Sequence, residues 1–271
     1  MDKTTKFQLI FLMIASFVSY PAQAAPLAKK IPKETTTNEN SWFVGMGAGT
    51  AWTDLSNGYT TVSNGAPSPY DQDSFSIKTP ASQTQLQFSA GYRWQTKKAF
   101  IPYYSAFFQY RRYLGTYIKG IIDQYSLPEF ENYDYQMRYR AELFALNGKI
   151  DLCEYNHILP YLAAGAGIIY NRLNNYRETA LPNVTARISP GYSGNTNTNL
   201  ALTLGLGVDI KLTKNIWATV GYEYLSQGTV STGNGETTWS GTHLQFGKNT
   251  KMSTVFLNVS VNVPDGIRSD K

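Results

Sequence analysis

The sequence predicts an all-β protein, an eight-stranded antiparallel up-and-down transmembrane β-barrel. Three observations carry this prediction. Eight runs alternate apolar and polar residues with period two, the signature of strands. Each run offers one row free of charge and an opposite row that is small and polar. The connections between runs alternate long and short, the rhythm of a barrel with loops at one end and turns at the other.

Composition closes off other classes. Of 271 residues only 16% are charged, where about 25% is ordinary for a soluble domain. Twenty Tyr and an aromatic content of 14% exclude a disordered chain, which would be aromatic-poor and charge-rich. A helical polytopic membrane protein would need several apolar stretches of about 20 residues. Only one stretch comes close, and it lies at the front. Lys3 and Lys6 precede an apolar segment from Phe7 to Tyr20, followed by Ala22-Gln23-Ala24. This is the three-part pattern of a cleaved secretory signal peptide, residues 1–24. Residues 25–40 are polar with two prolines and read as a flexible periplasmic lead-in.

The barrel is expected over residues 41–263. The first run has the apolar row Trp42, Val44, Met46, Ala48, Thr50, Trp52. The second has Leu86, Phe88, Ala90, Tyr92, Trp94, and the third Tyr104, Ala106, Phe108, Tyr110. The fourth is read as Tyr139, Ala141, Leu143, Ala145, and the fifth as Leu162, Ala164, Ala166, Ile168, Tyr170. The sixth takes every second residue from Leu200 to Ile210. The seventh has Ile216, Ala218, Val220, Tyr222, Tyr224, and the eighth every second residue from Val255 to Val263. Long connections are expected over 54–81, 114–131, 174–196 and 228–249, with short turns between them.

Alternation alone does not say which row faces out, because a soluble lipocalin-like barrel is apolar inside. Three features favour lipid outside. The polar row is rich in Gly, Ala and Ser, which suit the narrow interior of eight strands. The apolar rows carry aromatic residues toward their ends, as girdles at the two headgroup zones require. These are Trp42, Trp52, Tyr92, Trp94, Tyr104, Tyr110, Tyr139, Tyr170, Tyr222 and Tyr224. Finally, the interior charges are of both signs. Arg93, Arg111, Arg138 and Arg140 are expected to face Glu142, Asp209 and Glu223 as a lumen polar cluster, since buried charges must be paired.

At this point the chain resembles the small eight-stranded outer-membrane barrels of Gram-negative bacteria, the OmpA-transmembrane and opacity-type surface-antigen group. The segments that carry the resemblance are WFVGMGAGTAW (42–52), QLQFSAGYRW (85–94), PYLAAGAGIIY (160–170), LALTLGLGVDI (200–210), IWATVGYEYL (216–225) and VFLNVSVNV (255–263). The resemblance spans residues 41 to 263, and its specificity is in the ensemble. It implies location in the outer membrane, both termini in the periplasm and four long extracellular loops. Two departures stand out. Members usually end on an aromatic residue, whereas here the strand ends at Val263 before a short periplasmic tail over 264–271. No peptidoglycan-binding domain follows, so an OmpA-like tether to the wall is not expected.

In that orientation Lys29, Lys30, Lys33, Lys97, Lys98, Lys211, Lys214, Arg268 and Lys271 fall on or near the periplasmic side. The basic balance is therefore not a nucleic-acid footprint, which gathers cations in one groove, and no nucleic-acid partner is expected. Expected partners are outer-membrane lipids and lipopolysaccharide, and a host or envelope protein at the loops; the chain is expected to be a monomer. The loops carry Tyr59, Tyr70, Phe75, Tyr117, Ile121, Ile122, Tyr125, Phe130, Tyr192, Trp239 and Phe246. Packing among the loops or at the headgroup rim is the favoured reading of these, and a binding surface the functional one.

Nothing points to catalysis. His157 falls in a short turn and His243 in the last long connection, and neither sits in the His-x-Ser element of barrel lipid hydrolases. Gly45-x-Gly47-x-Gly49 lacks the helix and distal acid of a dinucleotide site. Cys153 reads as a partly buried residue at a strand end. No cofactor and no metal are expected. The leading function is a structural or surface-interaction role, adhesin- or antigen-like. A narrow porin-like solute or ion channel is the alternative, and a lipid-modifying enzyme comes third.

Overall fold

A computed structural model describes residues 40–55, 60–78 and 81–264. The predicted signal peptide lies outside the described residues, as do nearly all of the lead-in and tail. Among the described residues ten strands form: β1 (Ser41–Asp54), β2 (Thr60–Ser63), β3 (Gln72–Ile77), β4 (Ala81–Gln95), β5 (Tyr103–Asp123), β6 (Glu131–Asp151), β7 (Ile158–Ala180), β8 (Asn195–Lys211), β9 (Ile216–Ser231) and β10 (Gln245–Pro264). Eight of them close a ring in the order β1-β4-β5-β6-β7-β8-β9-β10, every neighbour antiparallel, with β10 returning to β1 from Ser41↔Pro264 to Asp54↔Lys251. Closure satisfies the backbone within the wall, where an open edge in lipid would be costly. The hairpin β2–β3 stands on the far end of β5, pairing Phe75 with Ile122.

The connections depart from the expected lengths. The strands bordering the second long connection run on through Asp123 and restart at Glu131, so residues 124–130 alone link β5 to β6. The third shrinks to 181–194 and the fourth to 232–244, while the first contains the β2–β3 hairpin. The wall therefore rises well beyond the apolar band on this loop end. The turn end is made by residues 96–102, 152–157 and 212–215.

Alternation places Ser41, Phe43, Gly45, Gly47, Gly49, Ala51 and Thr53 of β1 inside, and Trp42, Val44 and Met46 outside. Small inward residues are required where ring side chains cross the lumen. A Cβ at Gly221 would lie 2.2 Å from the Tyr161 hydroxyl, so that ring lies over the Gly207↔Gly221 pair. Gly115, with φ +87°, sits in a bulge between Tyr113 and Thr116 that shifts the register of β5.

Strand β6 corrects the expected parity. Tyr139, Ala141, Leu143 and Ala145 are buried inside, and Arg138, Arg140 and Glu142 point outward. Tyr139 is therefore not a girdle residue, and these three charges do not belong to the lumen. The reason is an exchange of faces along the strand. Outward residues of β6 are apolar over Phe144, Leu146 and Ile150, then polar from Glu142 onward, while the inward row passes from Asp151, Lys149 and Asn147 to Ala145, Leu143 and Tyr139.

Candidate functional site

The lumen holds two charged layers. In the first, Lys149 of β6 and Arg93 of β4 converge on Asp209 of β8. The Lys149 ammonium donates to Asp209 Oδ2, and the Arg93 Nη2 lies 3.7 Å from the same oxygen. Thr219 donates to Asp209 Oδ1 at 2.7 Å, and Arg93 donates to Asn262 at 3.1 Å. The Arg93 guanidinium lies 3.6 Å from the centre of the Trp217 ring, which satisfies its apolar face. In the second layer, Arg111 of β5 makes a forked pair with Glu223 of β9, one arm at 3.1 Å, and also donates to Gln87 at 3.3 Å. Arg93, Arg111, Lys149, Asp209 and Glu223 are all buried. Charges in such a place persist only when partner and hydrogen bonds replace water.

The space left is small. A void of about 50 Å³ lies among Gln87, Arg93, Lys149, Glu223 and Asn258, room for one or two water molecules. At the turn end Tyr103, Leu159 and Trp217 form a small buried cluster, over which Lys211 reaches to the Tyr103 hydroxyl at 2.9 Å and to Glu154 at 2.8 Å. Above the Arg111 layer, the Tyr139 hydroxyl meets Asn171 at 2.9 Å and Gln227 at 3.0 Å.

The loop end is closed by a different device. Phe75, Ile118, Ile122, Tyr133, Tyr135, Met137, Tyr192, Trp239, Leu244 and Phe246 belong to one buried apolar cluster. Through it runs Arg187, donating through Nε to Glu178 at 2.7 Å and through Nη1 to Asp73, between the Tyr133 and Trp239 rings at 4.8 and 5.1 Å. Asp73 also accepts from Asn64 at 2.8 Å and from the Tyr125 amide at 3.1 Å. Arg187 and its Asp73 partner together thus tie all four loop-end connections. Burial pushes the Tyr192 hydroxyl up to about 12. Of the apolar residues expected on the loops, Phe75, Ile122, Tyr192, Trp239 and Phe246 are buried here. Tyr70, Tyr117 and Phe130 are exposed, and Tyr59 lies outside the described residues.

On the outer wall, Trp42, Tyr92, Trp94 and Tyr104 form a chain of ring contacts 4.9 to 5.0 Å apart toward the turn end. Trp52, Tyr110, Tyr170, Tyr222 and Tyr224 also point outward, with Tyr110, Phe144 and Tyr170 in successive contact at 4.9 and 6.1 Å. Beyond that band lie Arg112, Arg138, Arg140, Glu142 and Arg172. Cys153 is exposed just past β6, against the expected partial burial, because the strand ends two residues earlier. His157 and His243 are exposed at opposite ends of the barrel.

Sequence reasoning missed Lys149 and Asp151, both buried and within electrostatic reach of one another. The signal was present. Continued past Ala145, the row chosen as lipid-facing reaches Asn147, Lys149 and Asp151, whereas Phe144, Leu146, Gly148 and Ile150 carry no charge.

No curated protein matches the chain. Among solved structures it is similar to neisserial surface protein A, at 17% identity over 81% of this chain and 96% of that one, with a TM-score of 0.42. It is also similar to OprG from Pseudomonas aeruginosa, at 13% identity over 84% and 97%, with a TM-score of 0.42. A third is the N-terminal β-barrel domain of Pseudomonas aeruginosa OprF, at 12% identity over 84% and 100%, with a TM-score of 0.38. The family model of the outer membrane protein beta-barrel domain matches residues 10–262, nearly the whole length, and the chain belongs to that family of outer-membrane barrels.

Proposed function

We propose that this outer-membrane barrel is a monomeric, plugged surface protein without enzymatic activity. In this reading residues 1–24 are a cleaved export signal, the loop end faces outward, and the outer surface meets lipopolysaccharide and a host or envelope protein. The observation that carries it is the filling of the lumen. Two charged layers and an aromatic cap occupy the path, and the Arg111–Glu223 and Arg93–Asp209 contacts bridge strands on opposite sides of the ring. A steady channel would need those pairs to open, at the expense of buried charges left alone. The Arg187 cluster supports the surface role, since it holds the loop-end connections in one arrangement from which Tyr70, Tyr117 and Phe130 project. Preordered loops lower the entropic cost of binding.

Planar-bilayer recording of the refolded protein tests the plug. No reproducible open state is expected for the native chain, and brief openings are expected for Glu223→Ala. Stable conductance in the native protein would overturn the plugged reading and leave the narrow channel in its place. Labelling of Tyr70→Cys in intact cells by a membrane-impermeant thiol reagent tests the orientation, with Cys153→Ser as background. Absence of labelling would overturn the outward loop end.

A further inference from the structure

Two of the four arginines that sequence reasoning assigned to the lumen, Arg138 and Arg140, stand on the outer wall, and there they join a pattern of their own. Arg140 of β6 and Arg172 of β7 are direct cross-strand partners, and both point away from the lumen. Like charges placed directly opposite repel each other. Arg138 lies one outward position further along β6, and Arg112 of β5 stands opposite Glu142. The carboxylates on this wall are already engaged: Glu142 is 3.8 Å from Arg112, while Glu131 and Asp134 are 3.1 and 3.6 Å from Lys78. Among the described residues, none lies at ion-pair distance from Arg138, Arg140 or Arg172. Arg140 runs across the bulge at Gly115, where a Cβ would meet its Cγ at 2.7 Å; its Nε is buried without a hydrogen-bond partner. Lys119 and Arg177, paired to either side of Gln136, extend the basic surface away from the band.

The depth identifies the occupant. The patch begins one outward position beyond the Tyr110–Phe144–Tyr170 band, where the wall stops being apolar. Aromatic bands of this kind mark the headgroup level. A ligand here has acyl chains beside Phe108, Leu146 and Ile168 and an anionic head at the guanidinium groups. Guanidinium groups recognise phosphate with paired, charge-assisted hydrogen bonds. We infer that Arg140 and Arg172, with Arg138 beside them, clamp a phosphate of an outer-leaflet glycolipid, the phosphorylated lipid A portion of lipopolysaccharide. The inference rests on the outward loop end proposed above and gives the lipopolysaccharide contact a site.

Native mass spectrometry of the full-length barrel in mild detergent tests this, with bis-phosphorylated lipid A, lipid A stripped of both phosphates, and phosphatidylglycerol as separate probes. The native protein should retain the bis-phosphorylated form and lose affinity about tenfold or more for the stripped form. Arg140→Gln with Arg172→Gln should cause a similar loss, while Arg172→Lys should fall between, keeping the charge without the fork. Lys97→Gln with Lys98→Gln, at the turn end, should change nothing. Equal retention of the stripped form, or no effect of the double substitution, would overturn the clamp. Equal retention of phosphatidylglycerol would overturn the glycolipid assignment. The stripped probe needs only the native protein, so a variant that fails to fold does not rescue the idea. Binding in detergent is indifferent to orientation in the cell, so its failure is distinct from failure of the thiol-labelling experiment.

Discussion

Toward the turn end the barrel is apolar outside and polar inside, and toward the loop end the faces exchange. The change falls at the Tyr110–Phe144–Tyr170 band. Lipid explains the first arrangement. Outside, nothing can hydrogen-bond, so the wall presents Val, Leu and aromatic rings, and polar side chains gather inside where they satisfy one another. Beyond the band both sides of the wall would compete for water. There the barrel behaves like a soluble one, with Phe75, Tyr135, Met137 and Phe246 inside and arginines outside. Two folding rules therefore operate along one strand, and β6 carries both.

The comparison can be broken by substitutions that should act differently in the two halves. The largest effect is expected at Asp209. Asp209→Ala leaves Arg93 and Lys149 buried without their shared carboxylate, and a loss of about 3–5 kcal/mol is expected. Urea unfolding in lipid vesicles, read by the gel shift of the heat-modified form, measures it. A loss under about 1 kcal/mol would mean that paired charge does not hold the lower half. Replacing Arg111 and Glu223 together by Met and Leu should be close to neutral, because a buried pair roughly cancels its own desolvation.

Next comes Phe75→Ala, which removes a fully buried ring from the loop-end core. About 3 kcal/mol is expected, the low end for a buried Phe, since the β2–β3 hairpin can relax. Protease cleavage within residues 60–77 should rise while the rest of the barrel stays protected. Cleavage spreading throughout the barrel would show that the two halves are one cooperative unit.

Alkali should loosen the loop-end cap. The Tyr192 hydroxyl is pushed up to about 12 by burial, so the folded cap holds this proton after the unfolded chain, near 10, has released it. Stability contributed by Tyr192 is complete below about pH 10 and is lost as pH rises through about 12. Phenolate absorbance of the native protein minus Tyr192→Phe should titrate in that window, alongside protease access to the cap. A difference spectrum centred near pH 10 would mean that Tyr192 is solvated. The smallest effect is expected for Arg112→Ala, which breaks an exposed pair at 3.8 Å. It should cost less than about 1 kcal/mol by the same urea assay, and more would mean the outer wall is desolvated there.

Much of this was legible in the sequence. Period-two alternation marks all eight ring strands, and in β1, β4 and β8 one face holds from end to end. Arg93, Arg111, Asp209 and Glu223 sit on rows whose neighbours are Gly, Ser and Gln, and they lie inside. Arg138, Arg140, Glu142 and Tyr139 were not legible by the same rule, because a short run centred on Leu143 straddles the exchange of faces. Within that window the apolar row is the inner one of the loop-end core, and only the longer row through Lys149 reveals it. The loop aromatics were ambiguous for another reason. Phe75, Trp239 and Phe246 come from distant connections, and nothing local says that they meet.

The sequence by itself determined the number of strands in the ring, their closure around a lumen with lipid outside, and the need for internal pairing of charge. These follow from alternation, from the cost of an open edge and from the cost of an unpaired ion. Tertiary structure alone decided which ions pair, where the lipid band ends and how the mouth is capped. The partners of Arg93, Arg111 and Arg187 lie 116, 112 and 114 residues away in the chain at Asp209, Glu223 and Asp73, brought together by ring closure and not by spacing. The height of the band is set by where the whole ring becomes apolar at once. No single strand contains that information, because its own period of two is the same on both sides of the boundary.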